Sequence, residues 1–341
     1  MRNRKHPQLV VPALFLAVFA AGFAGGLVFN GKNDTKTTSE NKFKALRLDG
    51  YNLISPLLTC DASVNERAPE LNALENKLNT MVGSESQADH IKHASVYFRD
   101  FSTGNEITVN SDEKYYPASL NKIPVMIAYF KIAETNPGIL SKEIKVEGGP
   151  DTNAAQEIKP KDYLRAGRTY TVERIIELMI KYSDNNALAL LTNYIDQDTL
   201  QSVYNDLGLY FPEDLSKEPE FITVKDFSYF LRVLYNSTYL QRDLSEKALK
   251  ILSEVDFKDG LVAGVSENTV VSHKFGIKTE KDNSGVAAKR ELHDCGIIYH
   301  PDRPYLLCIM TKSEANLPEI EQTIKSISSL VYQEVDRNYQ Q

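Results

Sequence analysis

The sequence predicts an α+β domain, and two observations lead there. After residue 70, runs of strand character lie near both ends while the stretch between them has a helical period, so neither end can complete a sheet alone. A chain of 341 residues, 42% hydrophobic and 25% charged, is long and apolar enough to bury a real core.

The elements follow in order. A helical stretch near Leu71 to Met81 precedes two alternating runs, Ala94-Ser-Val-Tyr-Phe-Arg-Asp100 and Asn105-Glu-Ile-Thr-Val-Asn110. Ser102-Thr-Gly104 joins them, which reads as a hairpin. In the middle, Val172, Ile175, Ile176, Met179 and Ile180 recur on one helical face behind Thr171, a residue that caps a helix well. A second helix is expected from about Asn186. Strands follow near Thr269 to Gly276, Cys295 to Tyr299 and Tyr305 to Thr311, then a last helix with Leu317, Ile320, Ile324, Ile327 and Val331 on one face. No internal repeat is present.

The N-terminal part reads differently. Leu9 to Phe29 is an uncharged apolar run of about the length that crosses a bilayer as a helix, roughly 20 residues. Arg2, Arg4 and Lys5 precede it and mixed charges follow, so residues 1–8 are expected in the cytoplasm and the rest outside, on a single-pass signal anchor. A cleaved signal peptide is the competing reading, and the length of the run favours the anchor. Residues 30–69 are polar with little periodicity, as in Gly31-Lys-Asn-Asp-Thr-Lys-Thr-Thr38, and are expected to form a stalk that carries a domain over 70–341.

Composition excludes several classes. A net charge of -7 with no basic cluster argues against a nucleic-acid partner. Cys60, Cys295 and Cys308 lack the paired short spacings of a structural zinc site, and the six histidines are scattered, so neither a metal nor a cofactor is implied. Cys295 and Cys308 fall on two strands that could face each other across a ladder, although two buried free thiols are the expectation. No G-x-S-x-G elbow occurs.

The chemistry concentrates in Tyr116-Pro-Ala-Ser-Leu-Asn-Lys-Ile-Pro-Val-Met-Ile-Ala-Tyr-Phe130, where Ser119 and Lys122 open an apolar helix three residues apart and share one face. A serine hydroxyl attacks once a neighbour takes its proton, and a lysine does so when burial and nearby cations keep its amine neutral. The spacing alone is weak, since Ser39 to Lys42 and Ser111 to Lys114 share it. Two further motifs single out Ser119. Ser183-Asp-Asn185 lies between helices, where its side chains project into a cleft, and Lys274-Phe-Gly276 lies on a strand, where glycine marks close backbone approach. His273 adjoins Lys274, but strand alternation points it to the opposite face.

Together these segments resemble the penicillin-recognising serine enzymes, class A β-lactamases in particular, whose signature is S-x-x-K, S-D-N and K-T-G. The likeness runs from roughly Glu70 to Val335. It implies a β-lactamase/transpeptidase-like fold, with an antiparallel sheet of about five strands flanked by helices and an all-helical lobe across a cleft. It further implies that Ser119 is the nucleophile, Lys122 its base or relay, and Ser183 the donor to the leaving nitrogen. Asn185 and Lys274 would hold the substrate, Gly276 would allow it close to the strand, and the Ser119 and Ile277 N-H groups would form the oxyanion hole. The substrate class so implied is a β-lactam, or a small or peptidoglycan-like amide ending in D-alanine.

Two departures bear on that reading. Phe275 stands where the family has threonine, so the hydroxyl that would bind a substrate carboxylate is missing. The stretch near Leu207 to Ile222 is shorter than the family's and lacks its Glu-x-x-Leu-Asn element, whose carboxylate directs water onto the acyl-enzyme. Glu213, Asp214, Glu218 and Glu220 are expected to be solvated loop residues. Without a positioned base, deacylation slows by roughly 10² to 10⁴-fold, and a long-lived acyl-enzyme is expected. The alternative is a catalytically impaired binding or scaffold module of the same fold.

Overall fold

The computed structural model describes residues 45–60, 69–301 and 303–339. The proposed anchor and most of the N-terminal half of the proposed stalk lie outside them. Among the described residues no helix is long and apolar enough to cross a membrane.

Five antiparallel strands form the main sheet: β3 (His93–Asp100), β4 (Glu106–Val109), β9 (Val271–Lys281), β10 (Ala287–Ile298) and β11 (Tyr305–Lys312), in the order β4-β3-β11-β10-β9. The alternation of β11 explains why it reads as almost uniformly apolar. Leu307 and Ile309 enter one core with helices α1 (Pro69–Gln87) and α9 (Leu317–Tyr339), whereas Leu306, Cys308 and Met310 enter a second core with the helical lobe. A sheet buried on both faces needs apolar residues at successive positions. The second core is built around α2 (Lys122–Ala133), in which ten residues are buried. A helix apolar all round belongs at the centre of a lobe.

Around α2 pack α4 (Val172–Lys181), α5 (Asn185–Tyr194), α6 (Gln197–Asp206), α7 (Val224–Asn236) and α8 (Arg242–Ser253). The expected cap on α4 is present, since Thr171 Oγ1 accepts from Arg174 N at 3.2 Å. The second helix of this pair starts at Asn185 behind Asp184, whose side chain accepts from Asn186 N. The back-end strands run longer than the alternation suggested. β9 continues to Lys281 and β10 begins at Ala287, because polar residues on an exposed hairpin extension carry no apolar signal.

Two expectations need correction. The stalk expected over 30–69 is partly domain, for β1 (Ala45–Arg47) pairs with β2 (Leu57–Cys60) and the segment between them is pinned to the helical lobe. Arg47 donates to Ser55 O and Asn236 Oδ1, Ser55 N donates to Tyr235 O, and Leu53 and Ile54 are buried. Glu246 accepts from the backbone N-H of Asn52, Leu53 and Ile54 at 2.9 to 3.1 Å. Three donors converging on a carboxylate some 190 residues away give no periodicity to read in sequence. Glu246→Ala should cost about 1–3 kcal/mol and expose the amides of 52–54 to exchange. Denaturant unfolding with hydrogen exchange checks this; an unchanged midpoint would contradict it.

The second correction concerns the buried thiols. Cys295 and Cys308 are opposed residues of the β10–β11 ladder and are joined as a disulfide. Direct cross-strand opposition brings the two sulfurs together, which sequence separation alone does not reveal.

Candidate active site

Ser119 enters its position through a short 3₁₀ turn (Ala118–Asn121) that runs straight into α2. Ala118 has φ 49° and Ser183 has φ 59°, so two non-glycine residues at the site occupy the left-handed region. Such conformations persist only where the surroundings enforce them. For Ala118 the enforcement is visible just before the turn, at Tyr116. Tyr116 N donates to Glu291 Oε2 at 3.0 Å, and His293 Nε2 donates to Tyr116 O at 2.9 Å. Thr311 N donates to His293 Nδ1, which fixes the proton on Nε2. Burial pushes the His293 imidazole down to about 4, so it remains neutral.

Gly276 meets the turn from β9. A Cβ there would stand 3.0 Å from Leu120 N and 3.1 Å from both Pro117 O and Ser119 N. The glycine lets the backbone of the Ser119 turn lie against β9, whereas its place in the third motif suggested approach by a ligand.

The expected side chains converge. Lys122 Nζ lies 2.9 Å from Ser119 Oγ, 3.0 Å from Ser183 Oγ, 2.7 Å from Ser183 O and 2.7 Å from Asn185 Oδ1. Ser183 O and Asn185 Oδ1 only accept, so Lys122 donates to both; in its neutral form the amine then has its lone pair left to face the two serine hydroxyls. Burial pushes Lys122 down to about 7, with nearby Asp184 opposing the shift. The amine is therefore able to receive the Ser119 proton near neutrality.

Lys274 is fully buried on the other side of Ser183, with Nζ 3.1 Å from Ser183 Oγ and 2.8 Å from Phe275 O. Burial and the Lys122 charge lower it well below the ordinary lysine value, and Asp294 counters them. Ser183 Oγ thus sits between two amines. His273 points to the opposite face, with Nδ1 2.8 Å from Asp294 Oδ1. Phe275 stacks on Phe257, ring centroids 4.4 Å apart, and offers the cleft carbon where a hydroxyl was in question.

Four contributors carry no motif in sequence. Asn153 Nδ2 donates to Asp184 Oδ1, and Asn153 Oδ1 accepts from Asn185 N and Gln156 Nε2. A loop asparagine thereby braces the second motif. Glu291 and His293 clamp Tyr116 through the register of β10, which places His293 opposite Gly276. Among the described residues no metal-ligating cluster occurs.

The loop between α6 and β8 (Ile222–Thr223) keeps its acids elsewhere. Glu213 is exposed, Asp214 caps Ser216, Glu218 accepts from Tyr210 OH, and Glu220 pairs with Lys312. The side of this loop nearest the turn is aromatic: Phe211 and Phe221 pack on Tyr204, whose hydroxyl donates to Asn121 Oδ1. The cleft over Ser119 measures about 70 Å³, and among the described residues the one carboxylate lining it is Glu157, from a different loop.

Residues 73–335 match the family described as the beta-lactamase enzyme family. Among similar solved structures, a PBP-A mutant in an acyl-enzyme complex with penicillin G is 22% identical, with TM-score 0.65, covering 80% of this chain and 100% of that one. A β-lactamase from Sphaerobacter thermophilus DSM 20745 is 20% identical, with TM-score 0.63 over 77% of this chain and 98% of that one. TLA-1 extended-spectrum β-lactamase is 16% identical, with TM-score 0.65 over 76% of this chain and 99% of that one. At these identities the likeness is one of fold. No curated protein matches the chain.

Proposed function

Since the chain belongs to the beta-lactamase enzyme family, we propose that it is a serine hydrolase acylated at Ser119 by β-lactams or D-alanine-ended, peptidoglycan-like amides, and that it releases the acyl group slowly. The observation that carries this reading is the shared hydrogen bonding of Lys122 Nζ with both Ser119 Oγ and Ser183 Oγ. Lys122 takes the Ser119 proton as Oγ attacks the carbonyl carbon. The oxyanion rests on the Ser119 and Ile277 N-H groups. As the C-N bond breaks, Ser183 gives its proton to the leaving nitrogen and regains one from the lysine pair. The apolar run Leu9 to Phe29 would hold this domain outside the cell membrane.

Slow release follows from the loop. None of its acids lines the cleft over Ser119, and Glu157, the carboxylate that does, is bonded to Arg290 and Thr279. Water therefore meets the ester without a free base, which removes roughly 10² to 10⁴-fold in rate. Mixing enzyme with excess benzylpenicillin should give a burst of about one equivalent per Ser119, followed by turnover far slower than the burst. Linear consumption without a burst would contradict slow release. No consumption and no adduct would favour the impaired scaffold, the reading that Phe275 supports.

A further inference from the structure

A cavity of about 230 Å³, larger than the cleft over Ser119, is lined from β3, β9, β10 and β11. Among the described residues the two share no lining side chain. The alternation of β9 separates them, since Ile277 and Thr279 line the cleft whereas Lys278 and Glu280 line the cavity.

Charges of both signs line the cavity in a regular pattern. Lys278 is opposed to Glu291, and Glu280 to Lys289, across the β9–β10 ladder, so the signs alternate both along and across the strands. Five lining side chains are basic Lys or Arg and four are carboxylates. A simple anion or a simple cation would therefore meet about as much repulsion as attraction.

Glu291 is the buried member of this set, with its side chain 10% exposed. Its Oε2 accepts from Tyr116 N at 3.0 Å. Its Oε1 receives no hydrogen bond from the described residues, and Lys278 Nζ stands 3.9 Å from it, drawn instead to Glu280 at 2.8 Å. Burial, aided by Glu220, outweighs the Tyr116 bond and the nearby Lys278 and Lys312, and holds the Glu291 carboxyl above the ordinary range. A desolvated carboxylate short of donors favours an added cation. Lys289, two residues earlier on the same face, is exposed and holds no ion pair among the described residues. An under-bonded carboxylate and an unpaired ammonium thus rise from β10 roughly 7 Å apart at strand rise.

We infer that this cavity is a second ligand site, for a dipeptide-sized zwitterion whose ammonium meets Glu291 Oε1 and whose carboxylate meets Lys289. Two extended residues span about 7 Å, which matches the separation of the two groups. The volume, below the roughly 300 Å³ of ordinary ligand pockets, suits a ligand of that size. Because Glu291 also accepts from Tyr116 N, the site abuts the turn that carries Ser119. Ser119 itself takes no part in it.

Calorimetric titration of the full chain with L-alanyl-L-alanine, its N-acetyl derivative and its C-terminal amide separates the two charges. The dipeptide should bind saturably, and each derivative, lacking one charge, should bind about tenfold or more weakly. Lys289→Gln should erase the penalty for the amide, and Glu291→Gln the penalty for N-acetylation. Lys289 is exposed and unpaired, so Lys289→Gln should fold even if Glu291→Gln, which loosens the Tyr116 clamp, does not. Binding of the dipeptide should persist in Ser119→Ala. Absence of saturable binding, equal binding of all three ligands, a penalty unmoved by its matching variant, or loss of binding in Ser119→Ala overturns the site.

Discussion

Lys122→Met is expected to lower the rate of acylation at Ser119 by about 10² to 10⁴-fold, the range a positioned general base contributes. Methionine keeps the volume and loses the amine, so the helix should fold while Ser119 loses its proton acceptor. The pH dependence gives a second readout. Burial depresses Lys122 to about 7 from its ordinary 10.5, so the neutral, proton-accepting form grows as pH rises through 7. Wild-type acylation should accordingly increase between pH 6 and 8 and level off above, and that rise should vanish in Lys122→Met. Stopped-flow acylation with a chromogenic β-lactam measures both. A flat wild-type profile would mean that Lys122 is not the group that accepts the proton.

Gly276→Ala carries the next largest effect. The added methyl group would meet Leu120 N, Pro117 O and Ser119 N at 3.0 to 3.1 Å, all of them backbone atoms that have little freedom to give way. The turn carrying Ser119 must then give by a few tenths of an ångström against β9, which shifts the Ser119 N-H relative to that of Ile277. Displacements of about 1 Å at a reacting centre cost on the order of 10²-fold, and loss of one oxyanion donor costs a similar amount. Acylation should fall by about 10²-fold, and the thermal midpoint should fall as well, since Gly276 is buried within β9 and paired with His293. Wild-type acylation in Gly276→Ala would show that the contact is slack.

Much of this arrangement was legible in the chain because its signals are local. Thr171 caps α4 where a threonine precedes a helical period, and Ser119 with Lys122 at the head of an apolar helix is a short-range pattern. Gly276 could be read as a close-approach residue. What escaped was set by register and by long loops. Glu291 and His293 brace Tyr116 across some 175 and 177 residues, and Asn153 braces Asp184 from a loop without periodicity. The Cys295–Cys308 bond and the docking of residues 45–60 depend likewise on which strands and helices become neighbours. The acids of 207–222 are the reverse case. Their lack of the family spacing already suggested that they serve the surface, and the structure places them there, with an aromatic cluster on the inner side.

The position of Glu157 changes how the missing base matters. A carboxylate does line the cleft, but it is committed to Arg290 and Thr279, so its presence does not by itself supply water activation. On the proposed acylation reading, attack by Ser119 and slow release would have separate structural causes, one in the lysine network and the other in the two loops.

The most direct test is to incubate wild type and Ser119→Ala with benzylpenicillin, quench at intervals, and locate any adduct by peptide mass mapping. The predicted result is a single penicilloyl group on the peptide containing Ser119, persisting after free ligand is removed and missing from Ser119→Ala. Absence of an adduct in wild type, or one retained in Ser119→Ala, would contradict acylation at Ser119.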